Sequence, residues 1–331
     1  MAGANDIAII TVHGIAFIVN IVGNFLVCLI IKRNRDMRNP INYLLVNLAI
    51  GDMMYATFIA PEVIAAITGN HPGGVGGTIL CKLLTAGIFA WVGGISSTVT
   101  LVVIAFERYF AVIYPHNNKR LNKKKLKVII PGSWIFSVIL NLPWFLFLEV
   151  QDGYCKNVPM YGQNWIPRAY SLLFSTLVAV SVVMMAGLYS RIVYTLWLKR
   201  VENNQPAFQQ RGVLRVRKRV TLMAVTVTVM FGVCWVSDII AHTVDYHTSL
   251  SVSKDTYSVI HTLILLNTAV NPFVYALINK TFREKIKEMI WCSCTISTES
   301  FSPPVVVPQN AEFANKAYQE CSAGPSSSEG T

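Results

Sequence analysis

Long apolar runs separated by short polar clusters dominate this chain, and seven of the runs are long enough to cross a lipid bilayer. A helix rises about 1.5 Å per residue, so roughly 20 apolar residues span the ~30 Å hydrocarbon core. The pattern therefore predicts an all-α membrane protein in which a seven-transmembrane helix bundle occupies residues 7–277. The predicted spans are residues 7–31, 43–67, 80–113, 126–148, 167–198, 216–244 and 256–277.

The charged residues predict how these spans are oriented. Of the 28 Lys and Arg residues, all but Lys82, Lys156, Arg168 and Lys254 fall on one side of the predicted bundle. Because positively charged loops face the cytoplasm, the short segment 1–6 is expected to be extracellular and the C-terminal tail cytoplasmic. The net charge of +11 is then a topology signal, with anionic membrane lipid as the expected bulk partner and no nucleic acid.

The chain after the seventh span has two parts of different composition. Residues 281–291 alternate apolar and basic positions at helical spacing, which predicts an amphipathic helix lying on the inner membrane surface. Cys292 and Cys294 follow at once, where thioester lipidation would fix that helix to the membrane; two ordinary cytosolic thiols are the alternative. Residues 295–331 are rich in Pro, Ser, Gln and Gly and are predicted to be a disordered tail.

Two cysteines are predicted to face the extracellular side. Cys81 opens the third span at its outer end, and Cys155 lies in the outer loop between the fourth and fifth spans. Since both thiols face an oxidising compartment, we expect a disulfide that ties this loop over the bundle.

A carboxylate in the middle of the second span needs polar partners. Asp52 lies at a depth where an ionised side chain costs on the order of 3 kcal/mol. The spans offer Asn24, Ser97, Asn267 and Asn271 at comparable depth, and such hydroxyl and amide oxygens suit a hard monovalent cation. The alternative is a simple buried polar network, and sequence spacing alone leaves both open.

A second polar set lies nearer the extracellular side. Trp235, Asp238, His242 and Asp245 recur at steps of three, four and three, which places them on one face of a helix. An acidic pocket at this height would favour a cationic ligand, such as a peptide with Arg or Lys. Asp245 could instead be a solvated loop charge, and His261 could make an ordinary interhelical hydrogen bond. The predicted ligand-binding residues are Glu62, Trp91, Asp238, His242, Tyr257 and His261.

The chain carries none of the common enzyme signatures. It contains no His-Glu-x-x-His helix, no nucleophile elbow and no pair of Cys-x-x-Cys motifs. We therefore expect neither an enzyme nor a required cofactor.

Each of the seven spans carries a different short motif, and the motifs follow one another in a fixed order. They are Gly23-Asn24, Asn47-Leu48-Ala49-Ile50-Gly51-Asp52, Glu107-Arg108-Tyr109, Trp134, Tyr189, Phe231 with Cys234-Trp235, and Asn271-Pro272-Phe273-Val274-Tyr275. This ordered set resembles the rhodopsin-like (class A) G-protein-coupled receptors. The resemblance implies a plasma-membrane receptor whose outer pocket biases a bistable bundle toward activation of a heterotrimeric G protein.

The resemblance also implies roles for particular residues. In this family the arginine matching Arg108 is released inward and the sixth helix swings outward, opening a cleft for the G protein. Asp52, Ser97, Asn267 and Asn271 match the family's sodium pocket, so sodium is expected as an allosteric modulator that favours the inactive state. The residues implied in coupling and activation are Glu107, Arg108, Tyr109, Tyr189, Trp235, Asn271, Pro272 and Tyr275.

Absent residues narrow the expected ligand. The seventh span has no lysine for a retinal Schiff base, and residues 83–94 have no carboxylate of the kind that amine receptors use. The sequences around Arg108 and Tyr189 are most similar to neuropeptide receptors. A lipid or small cationic ligand is the alternative within the class, and a seven-span transporter or channel the alternative outside it. Ser326, Ser327 and Ser328 are candidate targets of a receptor kinase for arrestin recruitment, and an inert polar tail is the alternative.

Two departures from the family pattern concern the helices. Ser181 and Ser237 stand where the family usually has prolines in spans five and six, and serine bends a helix only weakly by bonding back to the preceding turn. The spacing from Cys81 to Arg108 is also two residues longer than usual. We therefore expect a shifted disulfide register and an altered hinge beneath Trp235.

Overall fold

The computed structural model describes residues 4–68, 72–114, 121–146, 148–151, 154–157, 165–198, 207–278 and 281–289. Its first five α-helices are α1 (Ala4–Arg33), α2 (Pro40–Thr68), α3 (Gly74–Leu80), α4 (Ile88–Ile113) and α5 (Lys123–Leu146). The strands β1 (Leu148–Gln151) and β2 (Tyr154–Asn157) follow, and then α6 (Trp165–Val193), α7 (Ala207–His247) and α8 (Lys254–Ile278). A last helix, α9, covers residues 281–289.

Seven helical segments within the described residues are long and apolar enough to cross a membrane, which confirms the predicted seven-helix architecture. The sixth differs most from its prediction, because α7 begins at Ala207 rather than near residue 216. The seven segments are Asn5–Arg33, Pro40–Ile67, Gly74–Ile113, Lys123–Leu146, Trp165–Trp197, Thr221–His247 and Lys254–Leu277.

The third span lies at the centre of the bundle. Of its most apolar window 72% is buried, against 17% in the fourth span and 22% in the fifth. Close approach to α2 contributes to this position: a Cβ added to Gly93 would lie 2.6 Å from the carbonyl oxygen of Gly51, so only glycine permits this spacing. Side chains on α4 can therefore contact side chains of the helices around it.

The outer end of the third span is interrupted. A π-helical turn (Cys81–Thr85) follows α3, and α4 then begins after Gly87, whose φ of 63° is left-handed. In a π turn the backbone hydrogen bond joins residues five apart, one more than in an α-helix. Left-handed backbone favours glycine. The interruption lies in the interval from Cys81 to Arg108, where the chain has two residues more than the family pattern.

The predicted disulfide between Cys81 and Cys155 is present, with its Cα atoms 5.5 Å apart. The outer loop that carries Cys155 forms an antiparallel hairpin in which Val150 pairs with Cys155. Leu148 of this hairpin packs with Cys81 and Ile88 in a small apolar cluster. The hairpin is the one described feature that an all-α prediction omits.

The chain divides into two compact units, Met1–Val274 and Tyr275–Thr331. Within the second unit, the ring of Tyr275 contacts that of Phe282 at a centroid distance of 6.4 Å, and Arg283 donates a hydrogen bond to the carbonyl oxygen of Leu277. The helix predicted over residues 281–291 is described over 281–289. Cys292, Cys294 and the tail 295–331 lie outside the described residues, so their predicted roles stay predictions.

Candidate functional site

A cavity of about 500 Å³ opens at the outer end of the bundle. Its volume lies in the range that holds drug-sized ligands or the end of a peptide. The hairpin contributes Leu148 and Cys155 to its wall, so the disulfide helps to shape it. Of the six residues predicted to bind a ligand, five line this cavity: Glu62, Trp91, His242, Tyr257 and His261.

Asp238 is the predicted ligand-binding residue that is missing from the described lining. Its side chain has 0% exposure, and His242 Nε2 lies 3.6 Å from its Oδ1. Neither carboxylate oxygen has a hydrogen-bond partner among the described residues. Asp238 therefore lies behind the cavity wall, where it can act on a ligand only through a neighbour such as His242.

Asp245 has a structural role at the rim of the cavity. Its Oδ1 accepts a hydrogen bond from the backbone N–H of Val252 at 3.1 Å, and its Oδ2 accepts one from the Tyr257 hydroxyl at 3.4 Å. The carboxylate thus joins the end of α7 to the start of α8. This arrangement is closer to the loop-charge alternative than to a free acidic contact.

Trp91 connects the floor of the cavity to the deeper core. Its indole makes edge-to-face contacts with Trp235 at 5.9 Å, Phe174 at 5.9 Å and His261 at 5.4 Å between ring centroids. Tyr55 and His242 complete the cluster around it. Such aromatic pairs contribute roughly 0.5–1.5 kcal/mol each beyond burial, so the contact between Trp91 and Trp235 joins the cavity to α7.

Some lining residues were not predicted from the sequence. Tyr170 and Phe174 on α6 and Trp144 on α5 also line the cavity, and the rings of Trp144 and Tyr170 stack at 5.4 Å. Tyr170 and Phe174 are four residues apart and therefore share a helix face. The sequence feature that could have identified these lining residues is the presence of aromatic residues at the outer ends of spans four and five.

Below Trp235, Asp52 forms the predicted polar network. Its Oδ1 accepts a hydrogen bond from the Ser97 hydroxyl at 3.0 Å, and its Oδ2 accepts one from Asn271 Nδ2 at 2.7 Å. A Cβ on Gly51 would overlap the Ser97 hydroxyl, so the glycine leaves room for this contact. Asn267 faces the same small cavity of about 10 Å³.

The oxygen atoms of this network fit a small hard cation. Asn267 Oδ1 is buried without a hydrogen-bond partner in the described part of the chain, and Asn267 lines the same cavity as Asp52. Carboxylate, hydroxyl and amide oxygens are ligands of the kind that such ions prefer. The fourth candidate partner, Asn24, is not part of this set, because its Nδ2 donates to the carbonyl oxygens of Asn20 and Thr268.

Glu107, Tyr109 and Tyr189, three of the residues implied in coupling, lie near the inner ends of their helices. Glu107 Oε2 accepts a hydrogen bond from the backbone N–H of Leu121 at 2.9 Å, so this carboxylate links α4 to the chain just before α5. Tyr109, beyond Arg108 on α4, packs edge-to-face on Phe110 and Tyr114. Tyr189 is buried on α6, and Tyr275 is buried in the second unit.

Asn271 and Pro272 lie deeper in α8. The side chain of Pro272 is 3.0 Å from the position that a Cβ on Gly23 would take, so α1 and α8 pack closely here. Asn271, next to it, is held by Asp52. Asn271 thus belongs both to the set predicted for ion binding and to the set implied in activation.

Comparison with known proteins agrees with this geometry. The model of the family described as 7 transmembrane receptor (rhodopsin family) matches residues 23–275. Among curated relatives, the pyroglutamylated RF-amide peptide receptor of Mus musculus is 25% identical over 87% of this chain and 70% of its own length. The neuromedin-U receptor 2 of Mus musculus is 28% identical over 86% and 75%. The tachykinin-like peptides receptor 86C of Drosophila melanogaster is 26% identical over 92% and 63%.

Proposed function

Because this chain belongs to the rhodopsin family of seven-transmembrane receptors, we propose that it detects an extracellular peptide and activates a heterotrimeric G protein. The observation that carries the proposal is the aromatic contact from Trp91, on the cavity wall, to Trp235 on the sixth span. It gives an occupied cavity a direct physical path to the helix that moves. The family consists of receptors, in agreement with the expectation that the chain is not an enzyme.

The choice of a peptide rests on the relatives and on the cavity. The relatives named above are receptors for peptides, and a volume of about 500 Å³ holds the end of a peptide. Glu62 on the wall favours a ligand with a cationic group. A lipid would offer this carboxylate no charged partner, and a small cation would fill little of the cavity.

Activation follows from differential affinity. A ligand shifts the bundle only to the extent that it binds one conformation better than the other. A group that packs against Trp91 in one arrangement displaces Trp235, and α7 carries that displacement to its cytoplasmic end. The outward movement of this helix then opens the site for the G protein.

Sodium is proposed as a negative modulator. Asp52, Ser97, Asn267 and Asn271 would hold the ion, which would supply a positive charge beside the Asp52 carboxylate. The ion would favour the arrangement in which these four side chains converge. Binding of sodium would therefore oppose agonist binding.

The location and remaining partners complete the proposal. We place the receptor in the plasma membrane with its N-terminus outside, supported by the basic inner loops. Residues 281–291, with lipidated Cys292 and Cys294, would bind inner-leaflet lipid, and a receptor kinase and arrestin would act on the tail. A transporter is disfavoured because Leu101 and Ile104, above Arg108, are buried apolar residues.

The proposed function is tested by screening a neuropeptide library, with lipids and small amines included. Cells that express the receptor are assayed for calcium and cyclic-nucleotide responses, beside cells that express the Arg108→Ala variant at equal surface level. A peptide response that is lost in the variant supports the proposal. A ligand-dependent ion current that persists without G protein would contradict it.

A further inference from the structure

The break in the third span lies directly beside a carboxylate of the cavity. Ala86 N–H donates to the carbonyl oxygen of Cys81 at 3.0 Å, which closes the π turn, and Trp91 N–H donates to the carbonyl oxygen of Gly87 at 3.1 Å, which starts α4. Gly87 therefore connects two helical segments, the π turn and α4, whose backbone hydrogen bonds do not form one continuous helix. Its backbone is fixed from both sides.

Gly87 leaves a space that the Glu62 side chain fills. A Cβ built on Gly87 would overlap Glu62 Oε2, and it would lie 3.0 Å from Glu62 Cδ and 3.6 Å from Ile59 Cδ1. Glycine is thus required at this position for two reasons: its φ is 63°, and a side chain would collide with the Glu62 carboxylate. No other residue type would leave Glu62 where it lies.

The Glu62 carboxylate is held at the wall with unused bonding capacity. The side chain lines the cavity but is only 24% exposed, and its Oε1 is 3.4 Å from His261 Nδ1. Its Oε2 is buried without a hydrogen-bond partner among the described residues, and so is Nε2 of the buried His261. A buried carboxylate without full hydrogen bonding is costly, and a cation held beside it in the cavity lowers that cost by its charge.

We propose that Gly87 is a positioning residue that holds the Glu62 carboxylate at the cavity wall, where Glu62 and His261 form a subsite for a guanidinium or ammonium group of the ligand. This inference rests on the proposed function in one respect, that the outer cavity binds the extracellular ligand. The chemistry assigned to the subsite is that of an organic cation with several N–H donors. Trp91, one helical turn below Gly87, places an aromatic ring near the same group.

The subsite is tested without any agonist by mapping charge in the cavity. Ala66 lines the cavity one helical turn from Glu62, so Ala66→Cys introduces a thiol about 6 Å away. Its modification rate is measured with cationic aminoethyl methanethiosulfonate and with anionic sulfonatoethyl methanethiosulfonate, each corrected for the receptor that lacks this substitution. We expect the cationic reagent to be favoured roughly tenfold, the factor that one unit charge at this distance gives between opposite reagents in water.

Substitutions in the Ala66→Cys background separate charge from shape. Glu62→Gln is expected to abolish the preference, and Gly87→Ala to lower it several-fold because the new methyl group displaces the carboxylate. Glu62→Asp, one methylene shorter, is expected to restore the preference in the Gly87→Ala background. A purely structural role of Gly87 would not produce that rescue.

Gly74 supplies the matched control. Its φ of 77° is also left-handed, but a Cβ there would meet nothing within 4 Å, so Gly74→Ala imposes backbone strain without the collision. We expect Gly74→Ala to keep the full cation preference at equal surface expression. An unreactive thiol at position 66, or a preference that Gly87→Ala leaves intact, overturns the inference. Failure of the peptide screen alone would not, since no agonist enters this experiment.

Discussion

Asp52 is held by hydrogen bonds from two other helices. Replacing one carboxylate oxygen by an amide nitrogen separates its role as an ion ligand from its role in packing. Asp52→Asn keeps the volume and a polar side chain but removes the negative charge. We expect this variant to lose the inhibition of agonist binding by sodium, because an amide binds the ion far more weakly than a carboxylate. Agonist binding is compared in sodium and in N-methylglucamine buffers.

Thr57→Ala serves as a control for this experiment, since its hydroxyl is exposed and bonds back to Met53 on the same helix. It should retain the full sodium response. An Asp52→Asn receptor with an unchanged sodium response would reduce the site to a buried polar network.

Trp91 lies where several rings converge, so replacing it tests the path from the cavity to Trp235. Trp91→Leu removes edge-to-face contacts that contribute roughly 0.5–1.5 kcal/mol each. We expect agonist potency to fall ten- to a hundred-fold at equal surface expression, and Trp91→Phe to fall less because it keeps part of the aromatic contact. Equal effects of Leu and Phe would argue against an aromatic path.

The sequence predicted the positions of some site residues but not of others. Asp52, Ser97 and Asn271 could be grouped because their depths in straight spans are easily counted. The position of Gly87 against Glu62 could not, because it depends on a π turn that no local pattern signals. The burial of Asp238 behind the wall was also hidden, since a helical face specifies direction but not how deeply neighbouring helices cover it.

At the scale of elements, the disulfide fixes the hairpin to the third span. Closing a loop of 74 residues stabilises the folded state by about 4 kcal/mol in the chain-entropy account. We expect Cys155→Ser to lower the melting temperature of the purified receptor. The double variant Cys81→Ser with Cys155→Ser should melt no lower than either single variant, because one bond is lost in each.

Cys28→Ser is the control for the loss of a thiol, since Cys28 is free in the described structure. Its melting temperature should stay near that of the wild type. Additive effects of the two single disulfide variants would contradict a bond between them.

The two serines that replace family prolines bond as expected. The Ser181 hydroxyl donates to the Leu177 carbonyl at 2.8 Å, and the Ser237 hydroxyl donates to the Val233 carbonyl at 3.2 Å. Helix α7 consequently runs without interruption past Trp235. We expect Ser237→Pro to raise ligand-free signalling, because proline removes a backbone hydrogen bond and lowers the cost of bending.

Ser237→Ala isolates the side-chain bond and should leave ligand-free signalling near the wild-type value. Second-messenger level per receptor at the cell surface is the measurement. If Ser237→Pro signals no more than Ser237→Ala, bending at this position does not limit activation.

For the molecule as a whole, orientation is the prediction most easily tested. An epitope tag at the N-terminus should be stained by antibody on intact cells, and a tag at the C-terminus only after permeabilisation. The physical reason is the concentration of Lys and Arg in the loops on one side. The reverse staining pattern would invert the outer cavity and remove the basis of the proposed function.

The seven spans were predictable because lipid requires each backbone amide to bond within its own helix, so long apolar runs have one solution. The ends of the helices were less predictable. Beyond the membrane, water competes for backbone hydrogen bonds, and α7 extends to Ala207 through a basic stretch with no apolar signal. The hairpin at Val150 and Cys155 escaped prediction because each strand is only four residues long.

The length of α7 has a mechanical consequence. Its 41 residues form a rod of roughly 60 Å, about twice the thickness of the hydrocarbon core. Trp235 lies nearer the outer end, with roughly 42 Å of helix between it and Ala207. If Trp235 is the fulcrum, a tilt of about 5° displaces the cytoplasmic end by roughly 4 Å over that arm. A displacement at the outer end of α7, roughly 18 Å from Trp235, is thus enlarged about twofold at the cytoplasmic end.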